Sequence, residues 1–348
     1  MGTFDDLATE ARKILDGLDA RLATAEADVA SWQAKATDLG NELAAAQQAA
    51  AEAQTDLTNA QTARDNALSI VTDRDATIAD LRAQIAELTS VVPAVRTLYG
   101  ACPAAGGSGQ AAAQTVITKW GPGAAIRQFF PGGFTATPNH PDGASIVHTS
   151  YKPDLAQVNT GALDDTITAL AQATPAGDIL EIWHEADLKV RKGTLDKAAV
   201  IAAKNHFYDL VKAANPAVLV ATTYTGWLFE PTSGLDPQEW AGVRADLLGV
   251  DLDGINVTAP PYPDWSDEIP AVKTCADQWG YAGWCVPELG APRAGTGDAD
   301  GTVRAGWATA CAKACDGALY VAWFEYPTSP NYELTTTAEI AAWKTLIG

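Results

Sequence analysis

The first 92 residues of this 348-residue chain contain no proline, since all 19 prolines lie at Pro93 or later. Only Gly2, Gly17 and Gly40 supply glycine in that stretch. Proline and glycine are the residues that most often break helices and form turns. Their scarcity predicts a continuous helix, and the change of composition predicts a boundary between a segment 1–92 and a domain 93–348.

Segments rich in lysine and arginine are also missing, and the net charge is −20. Both parts are acidic, so neither offers a positive surface to nucleic acid or to an anionic membrane. No run of about 18 apolar residues occurs, which argues against membrane insertion. The amino terminus lacks the basic and apolar segments of a secretory signal peptide, so we expect synthesis in a cytoplasm without that export route.

Cysteine is scarce, and none of the five falls in the spacing of a zinc site. Cys311 and Cys315 are four residues apart on a predicted helix, where a metal pair or a disulfide is conceivable. Buried apolar thiols in a reducing compartment are the favoured interpretation. The four histidines show no ligand spacing either, so the sequence predicts no metal and no cofactor.

What the first segment does contain is a heptad repeat. With Leu15 at position a, the register continues to Val92 without a slip, and only Arg64 and Arg74 place charge at core positions. A period of 3.5 residues sustained this long predicts a left-handed coiled coil that joins copies of the chain into a homo-oligomer, either dimer or trimer. A lone helix or an intrachain hairpin is the alternative, although no turn signal interrupts residues 41–88.

From Val95 onward, short runs typical of strands alternate with amphipathic helical stretches. Eight such runs are predicted: Val95–Tyr99, Ala125–Phe130, Ser145–Ser150, Asp178–His184, Ala217–Tyr224, Gly254–Val257, Trp284–Glu288 and Ala318–Phe324. Eight repeats in about 255 residues predict an α/β fold, a (β/α)₈ TIM barrel that follows the coiled coil. A doubly wound open sheet is the alternative, but the chain lacks a GxGxxG phosphate loop after its first strand.

Active sites of such barrels lie where the strands end at their carboxyl face. The predicted fourth strand leads into Glu185, and the predicted seventh ends at Glu288. Two carboxylates over one barrel mouth can cleave a glycosidic bond as an acid and a nucleophile or base. Asp187 and Glu325 lie near enough in sequence to replace one of the two.

These positions resemble a large clan of glycoside hydrolases, whose barrels carry an acid/base Glu after strand four and a nucleophile Glu after strand seven. The resemblance implies that Glu185 is the acid/base and Glu288 the nucleophile of a retaining hydrolase. His184 departs from the Asn usual in the clan and is similar to the β-mannanase-type branch, where it would position Glu185. Arg127 matches the arginine that bonds the nucleophile, or it pairs with a structural carboxylate. Trp323 matches the aromatic platform under the sugar.

Further substrate contacts are predicted around the mouth. Trp183, Trp227 and Trp265 could stack on pyranose rings or belong to the barrel core. Lys152, after the third strand, and Asn256, on the predicted sixth strand, are candidate contacts at the rim.

A helical stem that carries a glycan-handling barrel resembles minor tail proteins of phages that infect actinobacteria. This resemblance implies a place at the tail tip of the virion, other phage tail proteins as partners, and a host cell-surface polysaccharide as target. Several barrels on one stem would turn weak sugar affinity into firm attachment. A catalytically inactive carbohydrate receptor or structural tip module is the alternative, and a bacterial envelope enzyme exported without a typical signal is another.

Overall fold

The computed structural model describes residues 4–91, 96–103, 109–130, 132–134, 138, 140–254, 257–327 and 331–348. Its contacts divide the chain into two compact units, Met1–Pro93 and Ala94–Gly348. Within the described residues, no helix combines the length and the apolar character that a membrane span requires.

The first unit is one continuous helix, α1 (Phe4–Val91). This confirms the predicted helix and excludes the intrachain hairpin. Apolar side chains of the heptad seam are more than half exposed on it, including Leu22, Leu39 and Leu43. The oligomer expected from that seam stays a prediction.

The second unit contains eight strands and eight further α-helices among its described residues. The strands are β1 (Leu98–Pro103), β2 (Ala125–Phe130), β3 (Ile146–Tyr151), β4 (Ile179–Ile182), β5 (Leu219–Thr225), β6 (Leu247–Asp253), β7 (Gly283–Gly290) and β8 (Tyr320–Glu325). The helices are α2 (Gly109–Trp120), α3 (Leu155–Asn159), α4 (Asp164–Ala173), α5 (Ala186–Arg191), α6 (Lys197–Ala214), α7 (Glu268–Trp279), α8 (Thr302–Ala314) and α9 (Thr337–Ile347). Short 3₁₀ turns at Gly226–Leu228 and Pro237–Trp240 lie between β5 and β6.

All eight strands run parallel in chain order, and β1 closes the barrel on β8 from Leu98↔Tyr320 to Pro103↔Glu325. The predicted TIM barrel after a long amino-terminal helix is therefore confirmed. Because the barrel is closed and parallel, the carboxyl ends of all its strands meet at one mouth.

Side chains of the strands alternate between the barrel interior and the helix layer, as the period of two requires. The interior cluster includes Ala125, Ile179 and Tyr320. The neighbouring residues Ile126 and Val321 pack outward, in the same cluster as residues of α2, α7 and α9. This alternation fixes which residues near the strand ends point into the mouth.

Two of the predicted strands are misplaced. The sixth is wrong at Gly254–Val257, because β6 covers Leu247–Asp253 and ends before it. Acidic residues at alternate positions of β6 hide its strand character in the sequence. The first strand lies at Leu98–Pro103 instead of Val95–Tyr99.

Gly100 on β1 is paired in register with Ala125 on β2. A Cβ atom at residue 100 would lie 1.7 Å from the carbonyl oxygen of Ala125. We expect Gly100→Ala to lower the free energy of unfolding by about 3 kcal/mol or more, because backbone rather than a flexible side chain must move. Chemical denaturation measures the change.

Gly283→Ala is the matched control, since its Cβ would meet only a methyl group of Leu247 at 3.5 Å. We expect a change of less than about 1 kcal/mol for this variant. Equal losses for the two substitutions would contradict the steric argument.

Candidate active site

Glu185 is held over the barrel mouth by an unusual backbone turn after β4. Trp183 and Glu185 both have φ of 52°, in the left-handed region that non-glycine residues rarely adopt. The Trp183 N–H donates to the carbonyl of Tyr151 on β3, and the Glu185 N–H donates to the carbonyl of Thr223 on β5. The chain is thus tied to both neighbouring strands, and these bonds hold the strained conformation that delivers Glu185 to the mouth. Regular strand structure accordingly ends at Ile182, earlier than predicted.

Glu288 reaches the same mouth through a bulge in β7. Gly249 pairs with Cys285, but Asp251 pairs with Glu288, so β7 carries one extra residue against β6. Pro287 lies inside this irregularity, where its missing N–H costs no ladder hydrogen bond. Strict alternation from the inward Cys285 would send Glu288 into the helix layer. The bulge turns its carboxyl into the barrel instead.

Arg127 of β2 lies beneath Glu288 and is fully buried. Its Nε atom is 4.0 Å from Oε1 of Glu288, and its Nη2 atom is 3.6 Å from Oε2 of Glu181. Burial disfavours the guanidinium charge, but the two carboxylates outweigh it and raise the pKa of Arg127. A permanent positive charge therefore sits under the mouth, and both partners named for Arg127 from the sequence are present.

Glu181 is the anion at the centre of this buried cluster. It accepts hydrogen bonds from the N–H and the hydroxyl of Thr223, beyond the point where the β4–β5 ladder stops. Nε2 of His148 lies 3.1 Å and Nζ of Lys204 lies 3.6 Å from its carboxylate. Burial would raise its pKa, yet its polar and charged neighbours hold the pKa of Glu181 well below the usual range.

None of Glu181, His148 and Lys204 is among the sequence-predicted site residues. A charged residue inside the apolar run Ile179–Ile182 was the available signal for Glu181. The sequence offers no such signal for Lys204, because this residue lies on α6, outside the barrel wall. Its ammonium reaches Glu181 at the gap between β4 and β5.

Both Glu185 and Glu288 have pKa values raised well above that of a free carboxyl. Burial, with the charges of Asp253 and Asp187, raises the pKa of Glu185 to about 7. Burial raises the pKa of Glu288 to about 8, although the charge of Arg127 opposes the shift. The charge of Glu185 also raises the pKa of Glu288, so the mouth retains a protonated carboxyl near neutral pH. The two residues are distinguished by their neighbours, because the cation Arg127 lies beside Glu288. The order of their two pKa values does not assign their roles.

The remaining carboxyls considered from the sequence are occupied elsewhere. Asp187 accepts hydrogen bonds from the N–H and the hydroxyl of Thr225. Glu325 faces away from the interior, by the alternation of β8, and pairs with Lys119 at 2.6 Å. Neither replaces Glu185 or Glu288.

Three other predicted residues surround the pair. His184 is buried, with Nδ1 2.9 Å from the hydroxyl of Ser150, and its ring packs against Phe129. The Nε1–H group of Trp183 donates to the carbonyl of Pro153 at 2.6 Å. Burial lowers the pKa of Lys152, while the charges of Glu185 and Glu288 oppose that shift.

Trp323 does not form a platform under a sugar. It is fully buried, packs edge-on against Trp307 and Trp343, and donates its N–H to the carbonyl of Tyr332. Its position on β8 is outward by alternation, so the prediction is wrong. The next residue, Phe324, is the inward-facing aromatic at that strand end.

The structure also changes the contribution of the sixth strand. Asn256 lies outside the described residues, and β6 ends at Asp253. The inward residues near the end of β6 are Asp251 and Asp253, which the misplaced strand prediction missed.

A cleft of about 480 Å³ opens beside Glu185 and is lined by Glu185, Asp251 and Asp253. Trp227 and Trp265 form part of its wall. Trp227 is 49% exposed and carries the guanidinium of Arg191 3.7 Å from its ring centre. Carboxyls and aromatic side chains are the groups that hydrogen-bond to and stack on sugars.

No family model matches this chain, and no curated protein matches it. Solved structures do share the architecture. A monomeric β-xylosidase from Caulobacter crescentus CB15 is 15% identical, with a TM-score of 0.50 over 73% of this chain and 68% of that chain. The exo-β-1,4-mannosidase Op5Man5 from Opitutaceae bacterium strain TAV5 is 14% identical, with a TM-score of 0.49 over 72% of this chain and 59% of that chain.

The modular endo-β-1,4-mannanase from Cellulomonas fimi is 13% identical, with a TM-score of 0.48 over 72% of this chain and 70% of that chain. These neighbours are glycoside hydrolases with eight-stranded parallel barrels. At 15% identity, the likeness to the β-xylosidase shows a common fold.

Glu181→Gln tests the buried cluster. The substitution leaves the charges of Arg127 and Lys204 without their central anion, so we expect a loss of about 3–5 kcal/mol in the free energy of unfolding. Glu239→Gln is the control, because Glu239 pairs with Lys197 with 56% of its side chain exposed. Its effect should stay within about 0.5 kcal/mol. Similar losses in both variants, measured by chemical denaturation, would show that Glu181 is not the anion that compensates the interior cations.

Proposed function

We propose that the barrel binds a cell-surface glycan and hydrolyses it by a retaining two-carboxylate mechanism. The observation that carries the proposal is the delivery of Glu185 and Glu288 to one mouth, where the charge of Glu185 raises the pKa of Glu288. Each is placed there by a local departure from regular structure, one by left-handed residues and the other by a bulge. Such departures are characteristic of functional sites.

The roles follow from the surroundings of the two carboxyls. Glu288 acts as the nucleophile, because Arg127 stabilises its ionised form. Glu185 acts as the acid and then the base, because burial and its acidic neighbours let it keep a proton near neutral pH. Glu185 protonates the departing oxygen while Glu288 bonds to the anomeric carbon, and water activated by Glu185 then releases the sugar.

The side chains beside the pair support this mechanism. His184 fixes the segment between the two left-handed residues and acts as a positioning residue. Lys152 and the cleft walls are proposed to contact the substrate, with Trp183, Trp227 and Phe324 as the aromatic surfaces. The names of the neighbours, a β-xylosidase, a β-1,4-mannosidase and a β-1,4-mannanase, suggest β-linked xylose and mannose glycans as the first substrates to try.

We also propose that the chain is a phage minor tail protein that acts at the tail tip of the virion. Its exposed apolar seam is suited to self-association, and a shared stem would present several barrels to one host cell. Other tail proteins and a host cell-surface polysaccharide are the partners on this proposal. The virion assignment rests on the sequence resemblance alone.

Glycan cleavage by the full chain tests the enzymatic proposal. We expect the wild-type protein to release reducing ends, with retention of anomeric configuration, from at least one of three targets: β-1,4-mannan, β-1,4-xylan or actinobacterial cell-wall polysaccharide. Glu288→Gln should reduce release to background, and Glu185→Gln should slow it by about 100- to 10,000-fold. Both variants should still bind the glycan.

Glu325→Gln is the control at a strand end that faces away from the interior, and it should leave the rate unchanged. Binding without cleavage by the wild-type protein would identify the barrel as an inactive receptor module. Cleavage with inversion would disprove the assignment of Glu288 as a nucleophile.

Sedimentation of the full chain tests the stem. We expect a dimer or trimer, because Leu39 and Leu43 would be buried at core positions of the coiled coil. Replacing both with lysine should shift the protein to monomer, whereas Asn41→Lys, on the outer face between them, should leave its mass unchanged. A monomeric wild-type protein would refute the heptad argument.

A further inference from the structure

Asp251 is a buried carboxyl that the mechanism above does not use. It is 1% exposed and lies on β6 directly beside Glu288 in the β6–β7 register. The bulge in β7 aligns these two residues, because without the extra residue Glu288 would face the helix layer. Two carboxyl groups on neighbouring strands therefore point into the same part of the interior.

Neither oxygen of Asp251 has a hydrogen-bond partner among the described residues, and neither does Oε1 of Glu288. Ionised carboxylates only accept hydrogen bonds, so two of them cannot satisfy each other. Buried oxygens without a donor are costly. A single proton held between the two groups supplies the missing donor.

The interior charges support the same assignment. Arg127 pairs with Glu181 and Glu288, and Lys204 pairs with Glu181, while no cation of the described residues forms an ion pair with Asp251. The two cations are thus already matched by two anions. The titratable or charged groups that face Asp251 are Cys102, Arg127, Glu181, Glu185, Cys285, Glu288 and Tyr320, and Asp253 follows on its own strand. Only one of these, Arg127, is a cation.

We propose that Asp251 keeps its proton and donates it in a hydrogen bond to Glu288, as a positioning residue for the nucleophile. The inference rests on the proposed hydrolase function. The proton stays on Asp251 throughout the reaction, and no bond to it breaks. A hydrogen bond to the charged form of Glu288 favours that form and leaves the other oxygen of Glu288 for attack.

The electrostatics of the site agree with this arrangement. Burial raises the pKa of Asp251 well above its usual range, and the charges of Glu288 and Glu185 raise it further. The neutral form is therefore the one that the interior favours. A hydrogen bond donated by Asp251 would oppose the effect of burial on the pKa of Glu288, in the same direction as the charge of Arg127.

The acid limb of the pH profile of kcat/KM tests the proposal, since it reports the ionisation of Glu288 in the free enzyme. Asp251→Ala removes a donor, so we expect the limb to move to higher pH by about one unit, a tenfold change in ionisation. Asp251→Asn keeps a neutral donor, and it should bring the limb back towards its wild-type position. Asp253→Asn is the comparison variant that removes a negative charge near Glu288. Because that charge raises the pKa of Glu288, its loss should move the limb to lower pH.

If Asp251 were ionised, both of its variants would move the limb to lower pH, as Asp253→Asn does, and the proposal would fail. Isotope-edited infrared spectroscopy of the full chain gives a readout that needs no cleavage. With ¹³C-labelled aspartate, we expect a protonated carboxyl band at pH 7 that disappears in Asp251→Asn. Its absence in the wild-type protein would overturn the inference. Its presence without any cleavage would overturn only the proposed hydrolysis.

Discussion

The ion cluster around Arg127 and Glu181 is the interaction on which the mouth of the barrel depends. Glu181 fills the gap that opens where the β4–β5 ladder stops, and it replaces a backbone acceptor for Thr223. The same carboxylate compensates Arg127 and Lys204, so that Arg127 can remain charged without contact to solvent. Glu288 therefore lies beside a buried cation whose charge Glu181 already compensates. Removing the central anion would disturb the backbone and the electrostatics together.

The buried charged groups at the mouth lower the free energy of unfolding, and packing elsewhere in the barrel must offset this loss. Burial raises the pKa values of Glu185, Glu288 and Asp251, so their ionisation is penalised in the folded state relative to the unfolded chain. The folded state is favoured while these groups keep their protons, and that contribution is lost as the pH rises from about 4 through their raised pKa values. The apolar interior layer below, with Ala125, Ile179 and Tyr320, contains none of this carboxyl crowding.

The sequence allowed the architecture to be predicted because periodicity is a local property. The heptads of α1 and the alternation of strands and helices in the barrel both follow from short windows. Glu185 and Glu288 were also accessible, since each follows an apolar run that ends at a strand terminus. Arg127 was identified only through the resemblance to the glycoside hydrolase clan.

Other parts of the site depend on features that a local pattern does not contain. Glu181 and Lys204 come together where the β4–β5 ladder ends early. Asp251 was missed because the acidic residues of β6 make its sequence resemble a loop. Trp323 was misassigned by one residue, and in a strand one residue exchanges the interior for the helix layer. Asn256 was placed on a strand that ends before it. Positions in the sequence therefore identified which residues lie near the mouth. The directions of their side chains and their pairing across strands follow only from the three-dimensional register.

Because of the bulge at Pro287, the direction of the Glu288 side chain depends on one extra residue in β7. Loss of one residue from β7 would restore regular alternation, turn Glu288 towards the helices and leave the cleft, the aromatic walls and the stem as they are. Under the proposed function, such a chain would still bind a glycan but would have no nucleophile to cleave it. If the proposed hydrolysis holds, the loss or gain of one residue in β7 would convert the barrel between a hydrolase and a glycan-binding protein without a change of fold.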